Sequence, residues 1–307
     1  MPTFVPELAR AQVVEAARHT HALWSSGRAL DDHIAFALHL LDLAGPELLQ
    51  YAGLIDGTGL VASLKRYWLA VTGPDGRAIP ALGIGGVYTR DDARGRGLAS
   101  TLVREAVRDA RARGARAAWL HSEIDPVFYA RLDFIPLPAS SWSAPVAGLP
   151  TAGALSIRPA APGDVERMFA WHDEGFSGRP WLRPARSPAM WRFFTFRNRL
   201  SLCLLADAGR DVGYLATSSD AATSELWVDE WGAPGIALDR VHATLRAIAD
   251  RAGLVRVTGW LRPDHAGPPF ERSPRPAGVP MIAPLDATWT AASIDPEQAH
   301  FGSFDYF

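Results

Sequence analysis

The sequence predicts an α/β (α+β) chain of two domains, each a mixed, mostly antiparallel sheet flanked by helices. Three observations carry this. The 307 residues suffice for two domains of roughly 150 residues each. Strand-like runs are separated by turns rich in Asp and Gly, which are hairpin signals. The order of strands and helices in the first half also recurs in the second. Between the halves lies a soft joint of prolines and small residues, Leu137–Ser141 and Ala144–Thr151, of the kind that makes linkers or irregular crossings.

Apolar positions at helical spacing (Ala9, Val13, Ala16, Ala17, Leu23) predict a helix over 7–25, and a second follows at about 30–43. Three strands come next. Leu48–Ile55 closes on Asp56-Gly57-Thr58-Gly59, Leu60–Thr72 on Gly73-Pro74-Asp75-Gly76, and Ile79–Thr89 is the third. They should form an antiparallel meander. Over 97–113, Leu98, Leu102, Ala106 and Ala110 share one face of a helix that Gly114 stops. Arg116–Glu123 is a strand, and Asp125–Leu132 a short helix opened by Asp125 and Pro126. In the second half, Leu155–Pro159 is a strand, followed by helices at Asp164–Phe176 (Asp164 as N-cap) and Pro188–Leu200. Strands at Leu202–Ala206, Gly213–Thr217 and Glu225–Trp231 lead to a helix at Leu238–Ala252 and a strand at Leu254–Leu261. From Arg262 on the chain is proline-rich and no pattern is assigned.

Composition excludes several function classes. The chain is 48% hydrophobic and 21% charged, with net charge −2. That is an ordinary globular balance with no global field for nucleic acid or an anionic membrane. No apolar run reaches signal or membrane-span length, so the cytoplasm is the expected location. Cys203 is the only cysteine, so neither a disulfide nor a cysteine metal cluster is expected. His19 and His21 lie two apart on a helix and share no face, which argues against a helical metal site. Lys65 is the only lysine among many arginines, read as a compositional habit that also suits phosphate contacts. The 11 tryptophans read mostly as core. Trp227 and Trp231, at even spacing on one strand, should face the same way and line a cleft between domains.

The loop Ala93-Arg94-Gly95-Arg96-Gly97 joins the third strand to a helix. A helix N-terminus leaves about four N–H groups unpartnered and carries partial positive charge. Glycines let backbone approach a phosphate closely, and arginines add charge-assisted bonds. The loop can therefore cradle a pyrophosphate. It is too short for a P-loop and lacks Gly-Lys-Ser/Thr. A Rossmann fingerprint would follow the first strand of a parallel sheet, not two hairpins. A plain capped helix also fits the loop taken alone.

The segment resembles motif A of the GCN5-related N-acetyltransferases (GNAT), Gln/Arg-x-x-Gly-x-Gly/Ala, which reads here Arg94-Gly95-Arg96-Gly97-Leu98-Ala99. Val87-Tyr88-Thr89 falls at the family spacing for the strand that pairs with the pantetheine arm. Phe128-Tyr129-Ala130-Arg131-Leu132-Asp133-Phe134 is similar to the family's Tyr-x-x-x-Gly-Phe helix, with Asp133 in place of Gly. Ser122-Glu123 followed by Phe128-Tyr129 resembles the enhanced-intracellular-survival acetyltransferases, which carry two tandem GNAT-like domains with the first active. The resemblance implies a catalytic domain over 1–140 and a degenerate copy with a C-terminal tail over 151–307. In that copy the loop Gly232-Ala233-Pro234-Gly235-Ile236 has no arginine, and Pro234 lacks a donor, so no CoA is expected there. The relatives' further sterol-carrier-like domain is not expected.

The resemblance implies acetyl-CoA as donor, without a metal. Val87, Tyr88, Thr89, Arg94, Gly95, Arg96, Gly97, Leu98, Ala99 and Ser100 would bind it, and a small-molecule or protein amine would be the acceptor. Tyr129 is the expected general acid, because a phenol stays protonated at neutral pH and can donate to a departing thiolate. A backbone N–H on the strand 79–89 is the expected oxyanion donor. The general base stays open among the Phe307 carboxylate, Glu123, Asp125 and water, with His121 read as a packed strand histidine. The aromatic tail Phe301–Phe307 should dock rather than hang in solvent. In the relatives it resembles, the carboxylate of a terminal Phe reaches the first domain's site. A non-catalytic acyl-CoA sensor is the alternative reading, and neither a nucleic-acid nor a membrane partner is expected. The acceptor's identity and assembly into a homo-oligomer are left open.

Overall fold

Turn chemistry sets the first sheet. In the computed structural model, which describes residues 1–73, 75–177, 182–220, 223–286, 294–295 and 298–307, a short strand β1 (Thr3–Val5) precedes helices α1 (Arg10–Trp24) and α2 (Leu30–Ala44). Strands β2 (Leu49–Asp56), β3 (Gly59–Thr72) and β4 (Ala78–Thr89) then form the expected antiparallel meander. The Asp56 carboxylate accepts the Thr58 N–H at 2.8 Å and closes the first turn; Pro74 of the second turn lies outside the described residues. Helix α3 (Leu98–Ala112) returns the chain to β5 (Ala117–Ser122), which runs parallel to β4. Next come α4 (Val127–Ala130), β6 (Ile135–Pro136) and β7 (Ser140–Pro145).

The second half repeats the plan. After β8 (Ser156–Pro159) come α5 (Val165–Gly175), α6 (Pro188–Arg197) and the meander β9 (Ser201–Asp207), β10 (Arg210–Asp220) and β11 (Glu225–Gly232). Helix α7 (Leu238–Ala252) leads to β12 (Arg256–Gly259), parallel to β11 as β5 is to β4. Two late strands follow, β13 (Glu271–Pro274) and β14 (Val279–Pro284).

The sheets exchange strands. The first runs β1-β2-β3-β4-β5-β14-β6, and the second β13-β7-β12-β11-β10-β9-β8. The late strand β14 thus lies beside β5, and β7 pairs with β12. The expected division at 1–140 and 151–307 therefore follows the sheets only in part, because β14 of the second stretch joins the first sheet and β7, from the joint between them, joins the second. Two further expectations are corrected. Asp164 does not cap α5; its carboxylate turns back to accept the Ala161 N–H at 2.8 Å and Arg158 at 2.9 Å. Trp227 and Trp231 do not share a face. A bulge shifts the register between Ala216↔Glu230 and Thr217↔Val228, inserting one residue and reversing the alternation. Trp231 joins Leu226 and Val228 under α7, whereas the Trp227 indole donates to Ser303 at 3.0 Å.

Three apolar clusters hold these layers. One lies under α3 and one under α7. The third is shared by both halves and gathers Tyr67 and Trp119 of the first sheet with Trp191, Phe193 and Phe194 of α6 and Tyr214 of β10. Full burial of such side chains contributes about 1.5–3 kcal/mol each, so this shared core fixes one half against the other.

Candidate active site

Strands β4 and β5 pair only from Ala81–Gly83 to Ala117–Trp119. Beyond that point β4 runs on to Thr89 and β5 to Ser122 without pairing to each other, so the two strands part and leave a cleft between them. Above it, β4 is bulged: its register with β3 shifts between Ser63↔Tyr88 and Lys65↔Gly85, and Gly86 takes φ +57°. A bulge leaves a backbone group out of the ladder and supplies an N–H of the kind an oxyanion needs. The sequence predicts an oxyanion donor somewhere on this strand; a glycine pair gives no signal of which residue bulges.

At the far end of β4 the loop stands open. Gly95 and Gly97 adopt φ +76° and +73°, and a Cβ on either would meet nothing within 4 Å. Gly97 is the N-cap of α3 and offers no side-chain cap. Among the described residues the N–H groups of Gly95 to Ser100 have no backbone or side-chain acceptor. Arg94 and Arg96 are exposed; Arg94 pairs with Asp91 at 2.7 Å. Leu98 is buried and anchors the turn beneath α3, while Ala99 and Ser100 are partly exposed. Of the strand residues, Val87 packs against the α3 cluster, and Tyr88 lies close to the ring of Trp24. The Thr89 carbonyl accepts from the Arg94 side chain at 3.4 Å. The expected cofactor residues are thus contiguous along one edge of the cleft.

Tyr129 and Phe307 flank the cleft from opposite faces. Tyr129, on α4, is buried in the α3 cluster against Phe128 and Phe134. Its hydroxyl has no hydrogen-bond partner among the described residues, and burial pushes its pKa up to about 12. Asp133 adopts a left-handed backbone, at φ +66°. On the other face the ring of Phe307 packs on Tyr67 at 4.4 Å and Trp119 at 4.6 Å. A Cβ on Gly83 would fall 2.6 Å from this ring, and one on Gly85 would fall 3.0 Å from the Phe307 carboxyl oxygen. Glycine at both positions makes room for the tail.

The tail is held mainly by the second half of the chain. Phe301, Phe304 and Phe307 are buried. Arg186 grips Asp305 through two bonds of 2.7 Å while also binding Glu230, to which Tyr214 donates. Arg197 donates to the Tyr306 carbonyl at 2.7 Å, and Asn198 to that of Phe304 at 3.0 Å. The Ser303 hydroxyl donates to Asp229 at 2.9 Å. Glu123 is exposed and accepts the Tyr306 hydroxyl at 2.7 Å. Asp125 caps α4 through the Val127 N–H at 2.9 Å. His121 is buried, and desolvation holds its pKa well below the ordinary imidazole value.

The corresponding loop of the second half differs. Among the described residues it carries no basic side chain, the Ile236 N–H is satisfied by Ala233 at 3.1 Å, and a Cβ on Gly232 would fall 2.6 Å from the Tyr214 ring. No helix among the described residues is long and apolar enough to cross a membrane.

Comparison with known proteins fits this geometry. Residues 39–136 match the family described as the acetyltransferase (GNAT) domain. No curated protein sequence matches the chain. In fold it is similar to a GCN5-related N-acetyltransferase from Kribbella flavida, with 19% identity, coverage of 94% of this chain and 73% of that one, and a TM-score of 0.69. It is also similar to Eis1 from Mycobacterium abscessus, with 19% identity, 92% and 74% coverage and a TM-score of 0.63. A tandem GNAT protein from the clavulanic acid biosynthesis pathway, at 14% identity, covers 93% and 99% with a TM-score of 0.53. Residues 39–136 thus belong to the GNAT acetyltransferase domain family, and the whole chain has the fold of tandem GNAT proteins.

Proposed function

We propose that the chain transfers the acetyl group of acetyl-CoA to a primary amine by direct attack in a ternary complex. The observation that carries this reading is the continuity of one edge. An open, arginine-flanked helix N-terminus leads along Thr89–Val87 to the bulge at Gly86, where the cleft opens between Tyr129 and Phe307. The pyrophosphate would lie on the N–H groups of Gly95–Ser100 with Arg94 and Arg96 beside it. The pantetheine arm would pair with Val87–Thr89, which sets the thioester at the bulge. There a backbone N–H stabilises the developing oxyanion. Tyr129, protonated throughout the neutral range, gives its proton to the departing thiolate. The Phe307 carboxyl group, on the acceptor face, takes the amine's proton. Glu123, bonded to Tyr306, holds that tail in place. The acceptor is an amine, either a small molecule or a protein side chain.

Thiol release from acetyl-CoA in the presence of a panel of amines tests the reading. Transfer to at least one amine is expected. Tyr129→Phe should lower kcat by about 100-fold or more and leave KM for acetyl-CoA nearly unchanged. Tight CoA binding with no turnover on any amine would instead support the sensor reading.

A further inference from the structure

Lys65 is the only lysine of the chain; every other basic side chain is an arginine or a histidine. It sits on β3 opposite Gly85, the residue over which the Phe307 carboxyl lies. Its stem packs on the bulge: a Cβ on Gly86 would fall 3.6 Å from Lys65 Cδ and 3.7 Å from Cε. Among the described residues it forms no ion pair or hydrogen bond. The groups near it are the ring of Tyr51, the imidazole of His33 and the guanidinium of Arg197, and the Phe307 carboxyl lies over Gly85, its neighbour across the strand pair. An unpaired, desolvated ammonium is costly, and a guanidinium cannot shed its proton. Among basic side chains of this length, only lysine can stand here as a free amine.

We propose that Lys65 is an acetyl acceptor of the chain's own site, acetylated on Nζ by the acetyl-CoA bound along β4. This rests on the acetyltransferase reading above. The neutral Nζ lone pair attacks the thioester carbon, a C–N bond forms, and the C–S bond breaks. The nitrogen's proton passes to the Phe307 carboxylate, the CoA thiolate takes one from Tyr129, and the two re-equilibrate through solvent. The products are an acetamide and a free thiol, and no redox partner is needed. Lys65 keeps part of its surface exposed, but the protein packed around it, aided by Arg197, lowers its pKa to about 7. The neutral share near pH 7 is then far larger than the fewer than about one in a thousand of a free lysine, although a carboxylate as near as that of Phe307 acts in the opposite sense.

The full chain is incubated with acetyl-CoA and no added amine, CoA binding is followed by calorimetry, and the protein is cleaved at arginine for mass mapping. The expected result is one acetyl group, on Lys65, with a rate that rises with pH and levels off above about 7. Excess CoA should suppress the label, and Lys65→Arg and Lys65→Met should abolish it. Binding of CoA with Lys65 unmodified overturns the inference and leaves the acetyltransferase reading standing. Labelling that excess CoA does not slow also overturns it, since that is chemistry from solution. A chain that binds no CoA overturns both.

Discussion

At the residue scale, two side chains sit where their chemistry is opposed, and each gives a measurable consequence. Asp133 occupies a left-handed turn at φ +66°, where a Cβ is strained although Asp tolerates it better than most residues. Asp133→Gly should therefore stabilise the chain by about 1 kcal/mol, read as a higher denaturation midpoint with unchanged activity. Asp229 is buried beside the tail, and desolvation raises its pKa to about 6 although Ser303 and Ser218 donate to it. Its folded pKa lies above the unfolded value near 3.9, so the native state holds the extra proton between the two. The stability it contributes is full below pH 4 and is lost as pH rises through 6, about 2–3 kcal/mol at 1.36 per unit. Asp229→Asn, which does not titrate, should gain in relative melting temperature across that window and then stay level. At this scale the exposed arginines of the loop and the place of Tyr129 on a short helix were legible, because both belong to short local motifs. The crowding of Tyr129, Lys65 and Asp229 was not, because desolvation comes from residues distant in sequence.

At the scale of elements, the meander β2–β4 and helix α3 were legible because turn residues and the 3.6-residue period are properties of short windows. The bulges were not. One in β11 turned Trp227 and Trp231 to opposite faces, and one in β4 shifts the register beside Gly86, where the proposed oxyanion donor would lie. Neither leaves a mark on hydrophobic alternation until the register is known. Strand β14 was missed for a different reason. Pro280 and Pro284 lie within it, and proline ordinarily confines a strand to an edge, yet β5 and β6 flank it on both sides. The tail is the element on which the proposed chemistry depends most. Its three buried phenylalanines contribute about 1.5–3 kcal/mol each, so it stays docked when only its last group is altered. Extending the chain by one glycine after Phe307 moves the carboxyl away from Gly85. If that carboxyl is the base, kcat should fall by about 100-fold while the melting temperature changes little; unchanged turnover would remove this role.

At the scale of the molecule, the plan of two similar halves followed from the repeated order of elements, but the strand exchange between them did not. Pairing of β7 with β12 and of β14 with β5 joins segments far apart in sequence, and no local pattern encodes such partners. For the proposed reaction the hold on the tail matters, since Arg186, Arg197 and Asn198 of the second half fix the tail that ends in Phe307. The halves differ at the loop where a phosphate would sit. One is open with two arginines, and the other is closed by its own backbone and the Tyr214 ring. The account therefore predicts a single CoA site per chain, on Arg94–Ser100. Calorimetric titration with acetyl-CoA measures this directly. The wild type should bind one equivalent, and Arg94→Ala with Arg96→Ala should weaken binding by about tenfold per arginine, as loss of a charge-assisted phosphate contact implies. Two equivalents, no binding, or an affinity indifferent to both arginines would contradict it.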